Sequence, residues 1–241
     1  MRNQKNLLKS IVIAGLLLPA MMTLSLAQET ESNIEVQHPK ENIVPLQKAV
    51  EADDLALVKE ILATLDMNEV DIDLRDYQAR TPLMLAVQMN NPEIATLLIA
   101  AGASVNAKDN VLDTPYLLAG AEGYNEILQM TLENGADIYD TNRFGGTALI
   151  PAAEKGHLET VKILINAGVD PNHVNNLGWT ALMEAVLLGD GSQVYQEIVQ
   201  TLIEAGANPN IPDKKGRTPL DYSKEKDFDE MTKLLKQHGG K

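Results

Sequence analysis

The chain of 241 residues is long enough to bury a substantial core, and its 44% hydrophobic and 22% charged residues are typical of a globular protein. Acidic residues outnumber basic ones by 34 to 20, and the resulting formal net charge of −14 disfavours nucleic acid and anionic membranes as partners. The chain has no cysteine, which excludes disulfides, thiolate metal sites and cysteine nucleophiles.

Residues 1–27 have the order of a secretory signal peptide. Three basic residues, the last of them Lys9, precede the uncharged stretch Ser10–Ala27, and Ser25 and Ala27 are the small residues that a cleavage site requires. An uncleaved anchor is the alternative, because this stretch approaches the roughly 20 residues that span a bilayer. Both interpretations place the rest of the chain outside the cytoplasm. We therefore expect an exported protein, periplasmic or secreted, without stable membrane insertion once the signal is cleaved.

Residues 28–41 are polar and acidic and have no sustained apolar period. We interpret them as a flexible acidic spacer between the signal peptide and the domain that follows.

A 33-residue period organises the remainder of the chain. Thr81, Thr114, Thr147 and Thr180 are spaced by 33 residues and open the lines TPLMLAV, TPYLLAG, TALIPAA and TALMEAV. A second signature follows in these units, in the forms AAGASVN, ENGADIY, NAGVDPN and EAGANPN. Two further copies, with changed spacing, begin at Val44 and Thr218. Self-similarity at such a period predicts a solenoid of stacked units.

Each unit contains the start and stop signals of two short helices. The threonine is a good N-cap for the first helix, and a proline after it loses no hydrogen bond because that amide is unpaired in any helix. A glycine at the end of the second helix suits the left-handed conformation of a helix stop. A glutamate is predicted to begin the second helix, where it complements the positive helix end, as at Glu93, Glu126, Glu159 and Glu197.

These motifs resemble the ankyrin repeat over about residues 42–241. The resemblance implies an all-α solenoid of stacked helix-turn-helix units with β-hairpin turns between them. The family's histidine after the TPL leucine is absent from every copy, and GGTALIPAAEKGHLE followed by HVNNLGWTALMEA resembles a bacterial subfamily of exported ankyrin-repeat proteins. The expected repeats cover 42–76, 77–109, 110–142, 143–175, 176–213 and 214–241, with about four extra residues around 65–70 in the first.

Ankyrin proteins bind other proteins in a concave groove that is lined by the hairpin tips and the exposed sides of the first helices. Phe144 and Trp179 both fall at hairpin positions of adjacent repeats, in a chain with two phenylalanines and one tryptophan. With Leu177, Leu187 and Leu188 they are expected to form an apolar patch that anchors a partner protein. Alternatively, the tips fold inward and Trp179 packs on its own neighbours. The other residues expected to contact the partner are Arg143, Glu154, Lys155, Glu184, Tyr77 and Arg80. The third repeat is expected to contribute Asp113 and Glu122 to the same groove.

The fourth and fifth repeats also break local rules. Pro151 falls inside the first helix of its repeat, where it removes an early hydrogen bond. Glu184 takes a place that other copies give to leucine, so its carboxylate must find a partner or raise its pKa. Residues 189–196 add about five residues to the turn between the two helices of the fifth repeat. Such violations mark a functional site or drift in a tolerant scaffold.

Catalytic and metal-binding patterns are weak in this chain. Glu154, Glu184, His157 and His173 lie in adjacent repeats, but no HExxH, glycine-rich phosphate loop, nucleophile elbow or EF-hand spacing occurs. We predict a monomeric, non-enzymatic protein without metal or cofactor that binds another protein through repeats four and five. One alternative is a metal- or small-ligand-binding protein or enzyme that uses Glu184, His157 and His173. The other is a structural or self-associating repeat array.

Overall fold

The computed structural model describes residues 44–65 and 71–241. The predicted signal peptide, the predicted spacer and residues 66–70 lie outside that part. Within it the chain forms twelve α-helices and no β-strand. In chain order the helix pairs are α1 (Val44–Glu51) and α2 (Leu55–Thr64), α3 (Pro82–Gln88) and α4 (Pro92–Ala100), α5 (Pro115–Glu122) and α6 (Asn125–Glu133), α7 (Leu149–Glu154) and α8 (Leu158–Asn166), α9 (Ala181–Leu187) and α10 (Gln193–Glu204), and α11 (Pro219–Glu225) and α12 (Asp229–Gln237).

The helix pairs stack into two rows. The odd-numbered helices pack side by side in chain order, and the even-numbered helices form a second row behind them. Apolar side chains from the successive pairs join into one continuous core. The second residue after the capping position is at most 2% exposed in five repeats, at Leu83, Tyr116, Leu149, Leu182 and Leu220. The repeats are therefore stabilised mainly by burying this surface against their neighbours.

The repeated threonines begin most of the first helices as predicted. Thr81 Oγ1 accepts a hydrogen bond from the Met84 amide at 3.2 Å. Thr114, Thr180 and Thr218 cap α5, α9 and α11 in the same way. These caps satisfy amides that a helix start otherwise leaves unpaired.

The fourth repeat departs from this arrangement, and the predicted cap at Thr147 is wrong. No side chain caps α7, and Thr147 Oγ1 is buried without a hydrogen-bond partner among the described residues. In the second repeat the Leu85 amide donates to the Thr81 carbonyl at 3.1 Å, whereas Pro151, at the matching place, has no N–H. The Ile150 amide donates to the Thr147 carbonyl instead, at 3.2 Å. The predicted loss of an early hydrogen bond is confirmed, and α7 has only six residues.

The second helix of the fifth repeat corrects two predictions. Glutamates lie in the first turns of α4, α6 and α8, but α10 begins at Gln193, four residues before Glu197. Gln193 to Gln196 form the first turn of α10, so only half of the segment 189–196 lies in the turn. Lengthening a helix adds a backbone hydrogen bond for each residue, which favours this outcome over a longer loop. α10 accordingly has twelve residues.

Candidate functional site

The hairpin tips between repeats are held by one Asp or Asn side chain each. In the tip before α9 the main-chain amide of Asn175 donates to the Trp179 carbonyl at 3.0 Å, and Asn175 Oδ1 accepts from the main-chain amides of Leu177 and Trp179. Asn142 makes the matching turn before α7, where its Oδ1 accepts from the Phe144 amide at 2.9 Å. Such side-chain to backbone bonds are why Asp and Asn favour turns. They fix the direction of the side chains that follow.

Adjacent tips are also joined to each other. The Asn176 amide donates to the Phe144 carbonyl at 2.8 Å. The fourth and fifth tips thereby form one surface, on which Phe144 and Leu177 are 48% and 46% exposed. Trp179 is half-buried and packs against the core, which is part of what the inward-folding alternative predicted.

A cavity of about 410 Å³ lies between these tips and the helices α5, α7 and α9. Its size falls at the lower end of the range of about 300–1,000 Å³ that is typical of ligand pockets. Eight of the predicted site residues line it: Arg143, Phe144, Glu154, Lys155, Leu177, Trp179, Glu184 and Leu188. The structure thus brings together residues from two repeats that the sequence placed in one groove.

Three predicted site residues do not line this cavity. Leu187 is half-buried and packs against the hydrophobic core, outside the cavity wall. Arg80 is occupied in the second repeat by an ion pair with Asp76, at 2.6 Å, and by a hydrogen bond to Gln88. Tyr77 is 85% exposed, also in the second repeat.

The sequence did not point to every residue of the cavity wall. Asp113, Glu122 and Pro151 had attracted attention as groove positions or rule violations, but their neighbours had not. The wall residues that were missed are Leu118, Ala121, Asn142, Gly146, Ile150 and Asn175. Asn142 and Asn175 carried a usable signal, because the corresponding tip residue is aspartate in three other repeats.

Glu184 lines this cavity from α9 and is only 4% exposed. Asn175 Nδ2 donates to Glu184 Oε1 at 2.9 Å, which stabilises the ionised form. Burial of the carboxyl group and the nearby negative charge of Glu154 both disfavour the ionised form. Their effect outweighs that of the hydrogen bond, and the pKa of Glu184 is raised to about 7. The carboxylate thus both finds a partner and raises its pKa, so both outcomes that the sequence allowed are realised.

The pairing of Glu184 with Asn175 has a counterpart in the sixth repeat. There Tyr222 takes the place of Glu184, and its hydroxyl donates to Asp213 Oδ2 at 2.6 Å. Asp213 is the tip residue that corresponds to Asn175. The tip residue is an acceptor where the helix offers a hydroxyl, and a donor where the helix offers a carboxylate.

Four carboxylates and two cations line the cavity. Lys155 pairs with Glu122 at 2.7 Å, and the Arg143 guanidinium lies 4.6 Å from the centre of the Phe144 ring. Burial raises the pKa of Asp113, and the charge of Arg143 partly opposes that rise. Tyr195 holds the main chain at Glu154, because its hydroxyl donates to the Glu154 main-chain carbonyl at 2.8 Å.

Neither histidine that was considered for chemistry is part of the described cavity wall. His157 packs on Gly123, where an added Cβ would lie 2.8 Å from His157 Nδ1, and burial lowers the pKa of this histidine. His173 Nε2 lies 2.7 Å from the Gly145 carbonyl oxygen, in the hairpin region. Both side chains therefore support turns of the scaffold. Residues 44–65 and 71–241 contain no group of three or more His, Asp or Glu side chains that could hold a metal ion.

Comparison with known proteins identifies the class of this solenoid. A family model described as ankyrin repeats (3 copies) matches residues 3–109 and 117–213. The matches cover more than half of the chain, and the chain therefore belongs to the ankyrin repeat family. The predicted family and fold class are confirmed. Ankyrin repeats generally mediate protein–protein interaction.

Individual relatives agree with this assignment. The chain is 48% identical over 52 residues to the ankyrin repeat protein YahD of Escherichia coli, a match that spans 26% of YahD and 22% of this chain. A solved ankyrin repeat domain from Acinetobacter baumannii AYE is 56% identical, with a TM-score of 0.78, and the match covers 82% of this chain and 98% of that domain.

Two further solved structures are similar. The ankyrin repeat protein EF0377 is 44% identical with a TM-score of 0.77, covering 81% of this chain and 98% of EF0377. The ankyrin repeat domain of Bcl-3, described as a unique member of the IkappaB protein family, is 29% identical with a TM-score of 0.73, covering 82% of this chain and 86% of that domain. None of the helices in the described part of this chain has the length and apolar character needed to cross a membrane.

Proposed function

We propose that this chain is an exported, non-enzymatic ankyrin-repeat protein that binds another protein through the groove of repeats four and five. The observation that carries the proposal is the cavity in which Phe144, Leu177, Trp179 and Leu188 meet. Three of these side chains are between 46% and 48% exposed, on a chain with a net charge of −14. Aromatic anchors in a pocket with a polar rim are typical of binding hot spots.

Support for export comes from the sequence. The basic, apolar and small-residue segments of residues 1–27 follow the order of a secretory signal peptide. The absence of cysteine is compatible with an oxidising compartment, where free thiols are a liability. Location of the full chain in cell fractions, with and without Arg2, Lys5 and Lys9 replaced by glutamine, tests this part of the proposal.

Support for a non-enzymatic role comes from the family and from the site. Ankyrin repeat proteins are typically interaction scaffolds. A nucleophile with an adjacent base, which acyl-transfer chemistry requires, does not occur among the residues of the described cavity wall. The buried carboxylate Glu184 is instead bonded to the tip residue Asn175.

A capture experiment tests the binding proposal. The full chain with a C-terminal tag is produced in its native host and recovered, with its bound proteins, from the fraction in which it accumulates. The matched bait carries Phe144→Ala and Trp179→Ala, and circular dichroism establishes that both baits are folded. We expect a protein that the first bait retains and the second loses. The same proteins on both baits would contradict binding through repeats four and five.

A further inference from the structure

We propose that the cavity binds a lysine or arginine side chain of the partner protein, with the cationic group at Glu184 and the aliphatic stem against Trp179 and Leu188. This inference rests on the proposed function, because it specifies the chemistry of the partner at the same site. The family assignment implies a protein partner but leaves this chemistry open.

The first argument is the unused hydrogen-bonding capacity of Glu184. Its Oε1 atom accepts from Asn175 Nδ2, whereas no described side chain or amide donates to Oε2. A carboxylate that is 4% exposed gains more from a second hydrogen-bond donor than a solvent-exposed one does, because burial reduces its solvation. A cationic donor that enters the cavity would supply a charge-assisted hydrogen bond to this oxygen.

The second argument is charge. Asp113, Glu122, Glu154 and Glu184 line the cavity, and the lining cations are Arg143 and Lys155. Lys155 is paired with Glu122, and the Arg143 guanidinium lies over the Phe144 ring, so neither is reserved for the buried carboxylate. The charge of Glu154 is close enough to raise the pKa of Glu184. An incoming cation relieves this repulsion, whereas an acidic side chain would add to it.

The third argument is the apolar part of the wall. Leu118, Ile150 and Pro151 from α5 and α7 line the same cavity as Trp179 and Leu188. Lysine and arginine are the side chains that combine an apolar stem with a cationic end. The stem gains contact with these groups while the charge reaches Glu184, and the Trp179 ring can add a cation–π interaction.

The test is a titration of the full chain, as recovered after export, followed by NMR of the Trp179 indole and the Asn175 side-chain amide. The probes are Nα-acetyl-lysine N-methylamide and Nα-acetyl-arginine N-methylamide, which mimic one residue of a partner, and the norleucine analogue is the uncharged control. We expect saturable shifts of both signals with a cationic probe and none with norleucine. Glu184→Gln should weaken the binding about tenfold or more, because a hydrogen bond to a charged group is lost.

Matched variants keep the result interpretable. Glu184→Gln retains an oxygen that can accept from Asn175, and Glu154→Gln removes the neighbouring charge should the first variant not fold. Glu159→Gln is the control, since Glu159 is exposed and lies outside the cavity wall. Equal binding of norleucine, no saturable shift with either cationic probe, or unchanged binding by both groove variants would overturn the cationic anchor. The capture experiment, which compares variants of Phe144 and Trp179, would still decide whether the groove binds a protein.

Discussion

Glu184 shows how a buried carboxylate is accommodated at a place that the second, third and sixth repeats give to Leu85, Leu118 and Tyr222. Its neighbour Asn175 has both hydrogen-bonding functions in use. Asn175 Oδ1 holds the hairpin amides of Leu177 and Trp179, and Nδ2 donates to the carboxylate. One amide therefore couples the shape of the tip to the charge on the cavity wall.

The raised pKa of Glu184 predicts a specific dependence of stability on pH. In the folded state the Glu184 carboxyl group keeps its proton up to about pH 7, whereas in the unfolded chain it loses this proton near the ordinary pKa of 4.5. The contribution of Glu184 to the free energy of unfolding is therefore largest below pH 4.5 and falls as the pH rises from there to about 7. Glu184→Gln should remove this loss and stabilise the protein at pH 8 by roughly 1–3 kcal/mol.

Urea unfolding of the two proteins at pH 5, 6, 7 and 8 measures this effect. The Glu159→Gln variant, altered on an exposed position of α8, is the control for the loss of one negative charge. A difference between wild type and Glu184→Gln that stays constant across this range would contradict a buried carboxylate that titrates near neutrality.

A second prediction concerns the donor opposite Glu184. Asn175→Asp keeps the acceptor for the hairpin amides but places two carboxylates against each other in a buried site. We expect a loss of about 2 kcal/mol or more in the free energy of unfolding at pH 8. The double variant Asn175→Asp/Glu184→Gln restores a donor opposite an acceptor and should recover most of the loss, as measured by urea unfolding. Equal losses in the single and double variants would contradict the assigned pair.

The sequence predicted that Glu184 is unusual but not what it contacts. The partner lies nine residues earlier, in a hairpin column that contains both Asp and Asn. Choosing between those two residue types requires knowledge of which helix side chain faces the tip, and that depends on the turn geometry. Asp213 with Tyr222 and Asn175 with Glu184 show the rule only after the structure has placed them together.

At the scale of elements, the start of α7 has fewer stabilising hydrogen bonds than the starts of α3, α5, α9 and α11. This helix has six residues, its start lacks a side-chain cap, and Pro151 deprives the Thr147 carbonyl of the donor that other repeats supply. Pro151→Ala should therefore stabilise the protein, by about 1 kcal/mol, because it restores one backbone hydrogen bond in the first turn.

Pro115→Ala is the matched control for this prediction. Pro115 begins α5, where its missing amide has no helical partner to lose, so its replacement should not stabilise the protein. Midpoints and slopes of urea denaturation compare the two variants with the wild type. A Pro151→Ala variant no more stable than the wild type would show that the proline carries no cost in α7.

In the fifth repeat, the sequence did not predict where α10 begins. The segment GDGSQVYQ contains two glycines and a serine, which favour a loop, and the sequence placed all of it in the turn. Its second half instead joins α10, where Tyr195 reaches back to the Glu154 carbonyl. That contact links two repeats, and local residue preferences carry no information about it.

At the scale of the whole molecule, the 33-residue period was sufficient to predict the solenoid. Each helix pair packs mainly on the pairs before and after it, so similar units dictate a similar stacking along the chain. The same regularity placed Phe144 and Trp179 on neighbouring tips. It did not predict that Leu188 lines the cavity and Leu187 does not, because a residue at a helix end can face the core or the solvent without changing the repeat pattern.

The central claim is that the groove of repeats four and five binds a protein, and the affinity of a Trp179→Ala variant for the captured partner tests it most directly. The control is Tyr139→Ala, an aromatic residue that is 76% exposed outside the cavity wall. Circular dichroism and urea unfolding establish that each variant is folded. We predict that Trp179→Ala loses roughly 2 kcal/mol or more of binding free energy, about 30-fold in Kd, while Tyr139→Ala binds as the wild type does. Unchanged affinity in a folded Trp179→Ala variant would contradict the account.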